Sequence, residues 1–308
     1  MIDLKRRRIR KKDIPILIVM IICLLVALFP HLRMWIRIVQ EKDIEPASDS
    51  ERTLHVVFLY VGQGDSAIVK LGKWSALIDT GVYDSYSAVA AGLEQYGIEK
   101  LDAVFITHPH YDHAGCLQSI LRDFPVGHVY FADIPEELMT TGEWYDRALD
   151  VIEKKEIPLS ILHRGDTVQV GDTEAFFKTL WSGNGEDLNN CSMVLRLSYG
   201  KTHVLFTADA EWQVEKELLE AGDELASQIL KVGHHGSYYS SSNRFVNTVC
   251  PDYAIISCGI DNEFEYPKDD VLERFKNVGA QILRTDLMGN IHFTILDNVI
   301  LYETEETT

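Results

Sequence analysis

The sequence predicts an α/β fold, with sheets covered by helices, carried behind an N-terminal membrane anchor. Three observations carry that expectation. Many short apolar runs bounded by turn residues read as strands, and stretches of helical spacing alternate with them, which a β-sandwich would lack. Ligand-type side chains gather just after several of the runs, where α/β proteins usually build their sites. With 308 residues, 46% of them hydrophobic, the chain has material for a sizeable core.

In order, Lys5, Arg6, Arg7, Arg8, Arg10, Lys11 and Lys12 form a basic tail (1–13) ahead of an apolar run over 14–32. That run is close to the roughly 20 residues that cross a bilayer as a helix. The cations place the N-terminus in the cytoplasm and the rest outside, and no small-x-small cleavage site follows, so the span reads as an uncleaved anchor. Residues 33–52 are polar and aperiodic, a stalk, and a domain covers 53–308.

Within the domain, strands are expected at 54–61, 67–69, 76–78 and 103–106, with a helix over 85–96 closed by Gly97. After the strand at 103–106, residues 112–121 can continue as a helix. Strands follow at 129–131, 159–162, 167–170, 175–177, 192–198 and 203–206, with a helix at 143–154. Helices at 211–219, 240–247 and 269–277 then interleave with strands at 228–232, 254–256, 281–283 and 291–295. No repeat or low-complexity tract appears.

Charge is unevenly spread. Residues 1–40 hold nine Lys/Arg and two Asp, near +7, which leaves 20 basic against 45 acidic residues in the remainder, near −25. An acidic body does not grip phosphates through a broad basic surface, although bound divalent cations offset this locally. Five cysteines without a CxxC pair argue against a zinc knuckle; Cys250 and Cys258 could bridge if exported.

The stretch Thr107-His108-Pro109-His110-Tyr111-Asp112-His113 places three imidazoles and a carboxylate within six positions at the end of an apolar strand. Alternate residues of an extended loop turn His108 and His110 to one side, and a turn directs Asp112 and His113 to a neighbouring point, so one stretch can serve two adjacent cations. Downstream, Asp209 ends another apolar strand, and a carboxylate can bridge two cations about 3.5–4 Å apart. Lys231-Val232-Gly233-His234-His235-Gly236-Ser237 adds a paired imidazole between glycines. The isolated histidines at 31, 55, 128, 163, 203 and 292 read as structural.

As a set, these stretches with Phe58 to Ser66, Leu77-Ile78-Asp79-Thr80-Gly81, Asn189-Asn190-Cys191-Ser192 and Arg284-Thr285-Asp286 resemble the metallo-β-lactamase superfamily. Within it they resemble the hydrolase domain attached to ComEC-type DNA-uptake (competence) channels. The resemblance covers residues 54 to about 295 and implies an αββα sandwich with a two-cation site at one edge. By position it implies His108 and His110 on one cation, and Asp112, His113 and one of His234 and His235, preferably His235, on the other. Asp209 would bridge the two. Asp79 would orient an imidazole by accepting its free N–H, and Asp65 and Asn190 would lie at the mouth. Three positions depart from the family pattern. The stretch 189–192 stands where many members carry a further ligating His, Tyr266-Pro267 stands where a His-Pro pair is expected, and Cys116 replaces a Gly.

The expected activity is metal-dependent hydrolysis of phosphodiester bonds through a metal-activated water. Asp209 and Asp112 are the candidate catalytic carboxylates, the latter or a neighbouring His as proton carrier. Two divalent ions are implied; zinc suits imidazole-rich ligation, and mixed His/Asp sites also take manganese or iron. The resemblance suggests nucleic acid as substrate. A single anchor helix does not form a DNA pore, which together with the acidic body leaves open a cell-wall phosphodiester such as a phosphorylcholine-decorated polymer. A non-catalytic surface binding module on the same fold is the alternative of a different class.

Overall fold

The computed structural model describes residues 51–139 and 142–305. The expected basic tail and anchor, and the stalk as far as residue 50, lie outside the described residues. Among the described residues, no helix is long and apolar enough to cross a membrane.

Among the described residues, fifteen strands build two sheets. The first six are β1 (Leu54–Phe58), β2 (Ala67–Leu71), β3 (Trp74–Ile78), β4 (Ala103–Ile106), β5 (Val129–Ala132) and β6 (Leu159–Leu162). Seven more, β7 (Thr167–Gln169), β8 (Phe176–Trp181), β9 (Val194–Tyr199), β10 (Thr202–Phe206), β11 (Ile229–Lys231), β12 (Tyr253–Ile256) and β13 (Gln281–Arg284), form the second sheet in the order β13-β12-β11-β10-β9-β8-β7. The chain then returns to the first sheet with β14 (Ile291–Leu296) and β15 (Val299–Thr304), giving the order β15-β14-β1-β2-β3-β4-β5-β6.

Because side chains alternate across a strand, β1 sends Leu54, Val56 and Phe58 to the core between the sheets and Val57 to the helix side. Phe58, Phe105, Phe177, Phe206 and Phe293 fill the inter-sheet layer. The first sheet's other face packs on helices Tyr86–Gln95, Leu117–Asp123 and Glu143–Lys154, through residues such as Val104, Leu117 and Tyr145. The second sheet packs likewise on helices Trp212–Ala221, Asn243–Val249 and Asp269–Asn277, through Val214, Phe245 and Phe275. The layers therefore run α, β, β, α. Strands covered on both faces read as continuous apolar runs, which is why their positions were visible in the sequence.

Strands β3 to β6 are mutually parallel, as are β10 to β13. The carboxyl ends of β3, β4, β10, β11 and β12 lead into Asp79, Thr107, Thr207, Val232 and Ser257, and these loops meet at one edge of the sandwich. Met193 N–H donates to Thr107 O at 2.9 Å and ties the two sheets there.

Three expectations are corrected. The helix expected over 112–121 is broken into Tyr111–Ala114 and Leu117–Asp123. Gly115 is still helical (φ −60, ψ −36), packed so closely that an added Cβ would stand 2.6 Å from Tyr83 N, and the line is left at Cys116 (φ −91, ψ 0). Strand β1 stops at Phe58 instead of Val61: Leu59 N–H still reaches Ser66 O in register, but Tyr60 N–H turns from the ladder to the Asn290 side chain. Strand β15 was not foreseen: it is a half-exposed edge strand without a buried stripe. Its signal was the turn Asp297-Asn298, both at positive φ, which joins it to β14 as a two-residue hairpin. Among the described residues no disulfide forms, Cys250–Cys258 included.

Candidate metal centre

At the shared edge, ligand-type atoms fall into two groups that meet at Asp209. One group is Asp112, His113, Asp209 and His235; the other is His108, His110 and Asp209. Asp209 Oδ1 lies 3.2 Å from His113 Nε2 and 3.6 Å from His235 Nε2. Its other oxygen, Oδ2, lies 3.9 Å from His108 Nε2 and 3.7 Å from His234 Nε2. One carboxylate oxygen thus faces each group. Asp112 Oδ2 closes the first at 3.2 Å from His235 Nε2, and His110 Nδ1 closes the second at 2.9 Å from His108 Nε2.

The imidazoles are aimed from behind. Asp79 Oδ2 holds Nδ1 of His113 at 2.8 Å and is itself held by Thr107, whose N–H donates to Oδ1 and whose hydroxyl donates to Oδ2. His235 Nδ1–H donates to Ser257 O at 2.9 Å. Nδ1 of His108 sits 3.2 Å from Thr107 Oγ1 and 3.3 Å from Ser192 Oγ. In all three the Nε2 atom is left facing the centre, the orientation that outer partners impose on ligating imidazoles.

The residues fit a cation. Asp209 Oδ1 and His113 Nε2 are buried without a hydrogen-bond partner, although they face each other across 3.2 Å. Buried polar atoms are rarely left in that state, and an ion between such groups satisfies both. The donor chemistry, imidazole with carboxylate, suits a divalent transition metal. Burial opposes charge on His113, but the carboxylates of Asp209, Asp79 and Asp112 outweigh it and hold the ring well above its ordinary pKa. Burial likewise opposes ionisation of Asp209, yet His113, His235 and His234 hold its carboxyl well below the ordinary range. His108 is pushed well below its ordinary value by burial, reinforced by His113, and so is neutral and able to donate a lone pair.

The centre carries backbone strain. Asp79, Ala208, His234 and His235 all have positive φ, a conformation that costs non-glycine residues free energy and persists where the surroundings enforce it.

Of the residues expected from sequence, His108, His110, Asp112, His113, Asp209 and His235 are brought together. Asp79 stands behind His113. His234 points to the other side of Asp209 from His235, with Nδ1 3.2 Å from Glu211 Oε1. Asp65 is not at the mouth: it is buried beneath the centre, where its Oδ2 pairs with Lys231 Nζ at 2.7 Å. Asn190 is buried as well, its amide turned to Asp187 and its carbonyl oxygen accepting from Glu211 N–H. Asp65, Asp79 and His113 form a third possible ligand group, but the Lys231 ammonium already supplies the cation there. Lys231, Ser192 and Glu211 had no role in the sequence reading. Lys231 had a signal, a charge ending a strand that is otherwise Ile-Leu.

The metallo-beta-lactamase superfamily model matches residues 59–260. The chain is 28% identical over 274 residues to ComE operon protein 3 of Bacillus subtilis, covering 83% of this chain and 34% of the relative. It is 31% identical over 287 residues to competence protein ComA of Neisseria gonorrhoeae, covering 91% and 38%. The chain therefore spans little more than a third of the length of these relatives. In fold it is similar to the metallo-beta-lactamase fold protein YhfI of Bacillus subtilis, with a TM-score of 0.50 and 16% identity over 75% of this chain and 95% of that one.

Proposed function

The chain belongs to the metallo-beta-lactamase superfamily of metal-dependent hydrolases, and from that premise we propose that it hydrolyses phosphodiester bonds, with single nucleic acid strands as the first-ranked substrate. The observation that carries this reading is the division of Asp209, one oxygen facing each of two ligand-type groups, with Oδ1 and His113 Nε2 buried and unpartnered. Two divalent cations, zinc first and manganese second, would supply Lewis acidity at the non-bridging oxygens and a water acidic enough to attack near neutral pH.

The remaining tasks fall to the chain's own side chains. Asp209 would bridge, and His108, His110, Asp112, His113 and His235 would complete the two positions. Asp112 has the most exposed side chain of its group, 30%, and lies 3.2 Å from His235 Nε2. It can take a proton from the attacking water and return it to the leaving oxygen. Exposed rings surround the edge: Tyr111 lies between His110 and Asp112 in the chain, and Tyr238 and Tyr239 follow His235. Phe264 stacks on Tyr266, whose ring lies 5.8 Å from His234. Such rings stack on unpaired bases without sequence preference, and the competence proteins among the relatives point the same way. We also propose that residues 14–32 anchor the domain on the outer side of the membrane.

The test is turnover by the purified, cation-loaded chain on single-stranded DNA, bis(p-nitrophenyl) phosphate, p-nitrophenyl phosphorylcholine and a β-lactam. Cleavage of the first two is expected, with Asp209→Asn and His110→Ala each lowering it about 100-fold or more while the fold is kept. Full turnover in a cation-replete Asp209→Asn variant would sink the assignment. Cleavage of the phosphorylcholine ester but not of DNA would move the substrate to a decorated cell-wall polymer.

A further inference from the structure

The His108/His110 group is one ligand short of its neighbour, which adds Asp112 to its two imidazoles and the shared Asp209, and the stretch in which a third imidazole would be expected is committed elsewhere. Ser192 Oγ supports His108 from behind, Asn190 binds Asp187 and the Glu211 N–H, and the thiol of Cys191 turns to Gly185 O. Between His113 and Asp209 the chain has His128, His163 and His203. His128 is stacked on Tyr130 and paired with Ser160, His163 is exposed beside Asp133, and His203 Nδ1 is 3.1 Å from Ser198 Oγ on the neighbouring strand. None of the three belongs to the ligand groups of the centre.

His234 does. Its Nε2 stands 3.7 Å from Asp209 Oδ2, the oxygen that also faces His108. Two atoms bound at about 2.1 Å to one cation lie roughly 3–4 Å apart, so this spacing is that of co-ligands. The ring is only 18% exposed, and Glu211 Oε1 lies 3.2 Å from Nδ1, off the line of a regular hydrogen bond. The arrangement repeats that of His113, with a carboxylate behind Nδ1 and Nε2 turned to one oxygen of Asp209. His234 is linked to the His108–His110–Asp209 group through Oδ2 but does not fall within the 4.8 Å that joins its members, so the ring must swing inward to share their cation.

The backbone explains how adjacent residues serve opposite sides. His234 (φ 48, ψ 49) and His235 (φ 54, ψ 20) are both left-handed, a costly pair for side-chain-bearing residues. The turn is clamped: a Cβ on Gly236 would stand 2.5 Å from Pro267 Cβ, and one on Gly233 would stand 3.1 Å from Ala210 O. The two rings are set at 71° to each other, with centroids 6.2 Å apart. One serves Asp209 Oδ1 and the other Oδ2.

We propose that His234 is the third imidazole of the His108/His110 cation position and that Glu211 is its orienting carboxylate. The proposal rests on the two-cation reading above but not on the identity of the substrate.

The experiment is cation binding by the full chain after chelator stripping, with zinc titrated calorimetrically, metal content measured after desalting, and the visible spectrum of the cobalt-loaded protein recorded. Wild type should bind two equivalents. His110→Ala should abolish one of them, and His235→Ala should impair the other. His234→Ala should weaken the same equivalent as His110→Ala at least about tenfold and change its cobalt bands, while Glu211→Gln gives a smaller loss in the same position. His234→Gln, closer in size, controls for folding together with the thermal midpoint. Two equivalents bound as in wild type, with an unchanged cobalt spectrum in both His234 variants, would overturn the proposal and leave the hydrolase reading standing. Loss of the equivalent in a protein that cleaves no phosphodiester would support the proposal and overturn that substrate. Wild type binding no cation would overturn both.

Discussion

Two buried charges away from the ligand atoms make the residue-scale chemistry testable. Lys231 is an ammonium enclosed under the centre, paired with Asp65 at 2.7 Å and donating to Val232 O. Removing one partner of a buried pair leaves the other charge uncompensated, so Lys231→Met should cost about 3–5 kcal/mol. Adding Asp65→Leu should recover part of that in urea unfolding of the metal-free protein. Glu215, on the helix Trp212–Ala221, accepts from the N–H groups of Ser241 and Ser242, yet burial raises its pKa from 4.5 to about 7. Between those values the native state holds a proton that the unfolded state has lost, so stability falls as pH rises. The contribution is complete below about pH 4.5 and is lost as pH climbs through 7, at most about 3 kcal/mol for such a shift. Glu215→Gln removes this dependence. The difference in unfolding free energy between variant and wild type should therefore move in the variant's favour from pH 5 to pH 8, and a constant difference would contradict the shifted carboxyl. At this scale the residue types of the site were legible in the sequence, because a dense His/Asp stretch after an apolar strand has few other uses. Glu211 was not legible, and Lys231 showed only as a charge at the end of an apolar strand, since a lone Lys or Glu takes its meaning from what encloses it.

At the scale of elements, the centre depends on close backbone contact between loops that end different strands. The loop after β1 brings Gly64 against the turn of Asp112, where an added Cβ would stand 2.4 Å from Asp112 O. The next residue, Asp65, donates its N–H to that same oxygen at 3.0 Å. Gly64→Ala must push the two loops apart, and a ligand displaced by even half an ångström is displaced from its cation. Weaker binding at the Asp112/His113/His235 position with the thermal midpoint changed by only a few degrees is the expected outcome. Zinc titration against wild type measures it, and unaltered affinity would show that the loop yields without moving Asp112. Strand and helix positions were readable because both sheets are covered on both faces and apolar periodicity reports burial directly. Two failures have the same origin: the break at Cys116 and the edge strand β15 are set by local backbone geometry and by a turn, and neither leaves an apolar pattern.

For the whole molecule, an acidic body (residues 41–308, near −25) follows a basic, apolar head. If residues 14–32 anchor it with the N-terminus inside, protease added to intact cells should remove the domain, whereas a domain protected until the cells are lysed would contradict that orientation. What the sequence by itself determined is the inventory: the order of strands and helices, the superfamily, and the stretches that carry His108 to His113, Asp209, and His234 with His235. These are local or periodic properties, written in neighbouring residues. Only the tertiary structure decided how the inventory is used. It set Asp209 between two groups with one oxygen toward each, sank Asp65 beneath the centre against Lys231, withdrew Asn190 from the mouth, and turned His234 and His235 to opposite sides. Each of these is fixed by contacts between segments far apart in the chain, where distance and burial, unlike residue type, are absent until the two sheets close on each other.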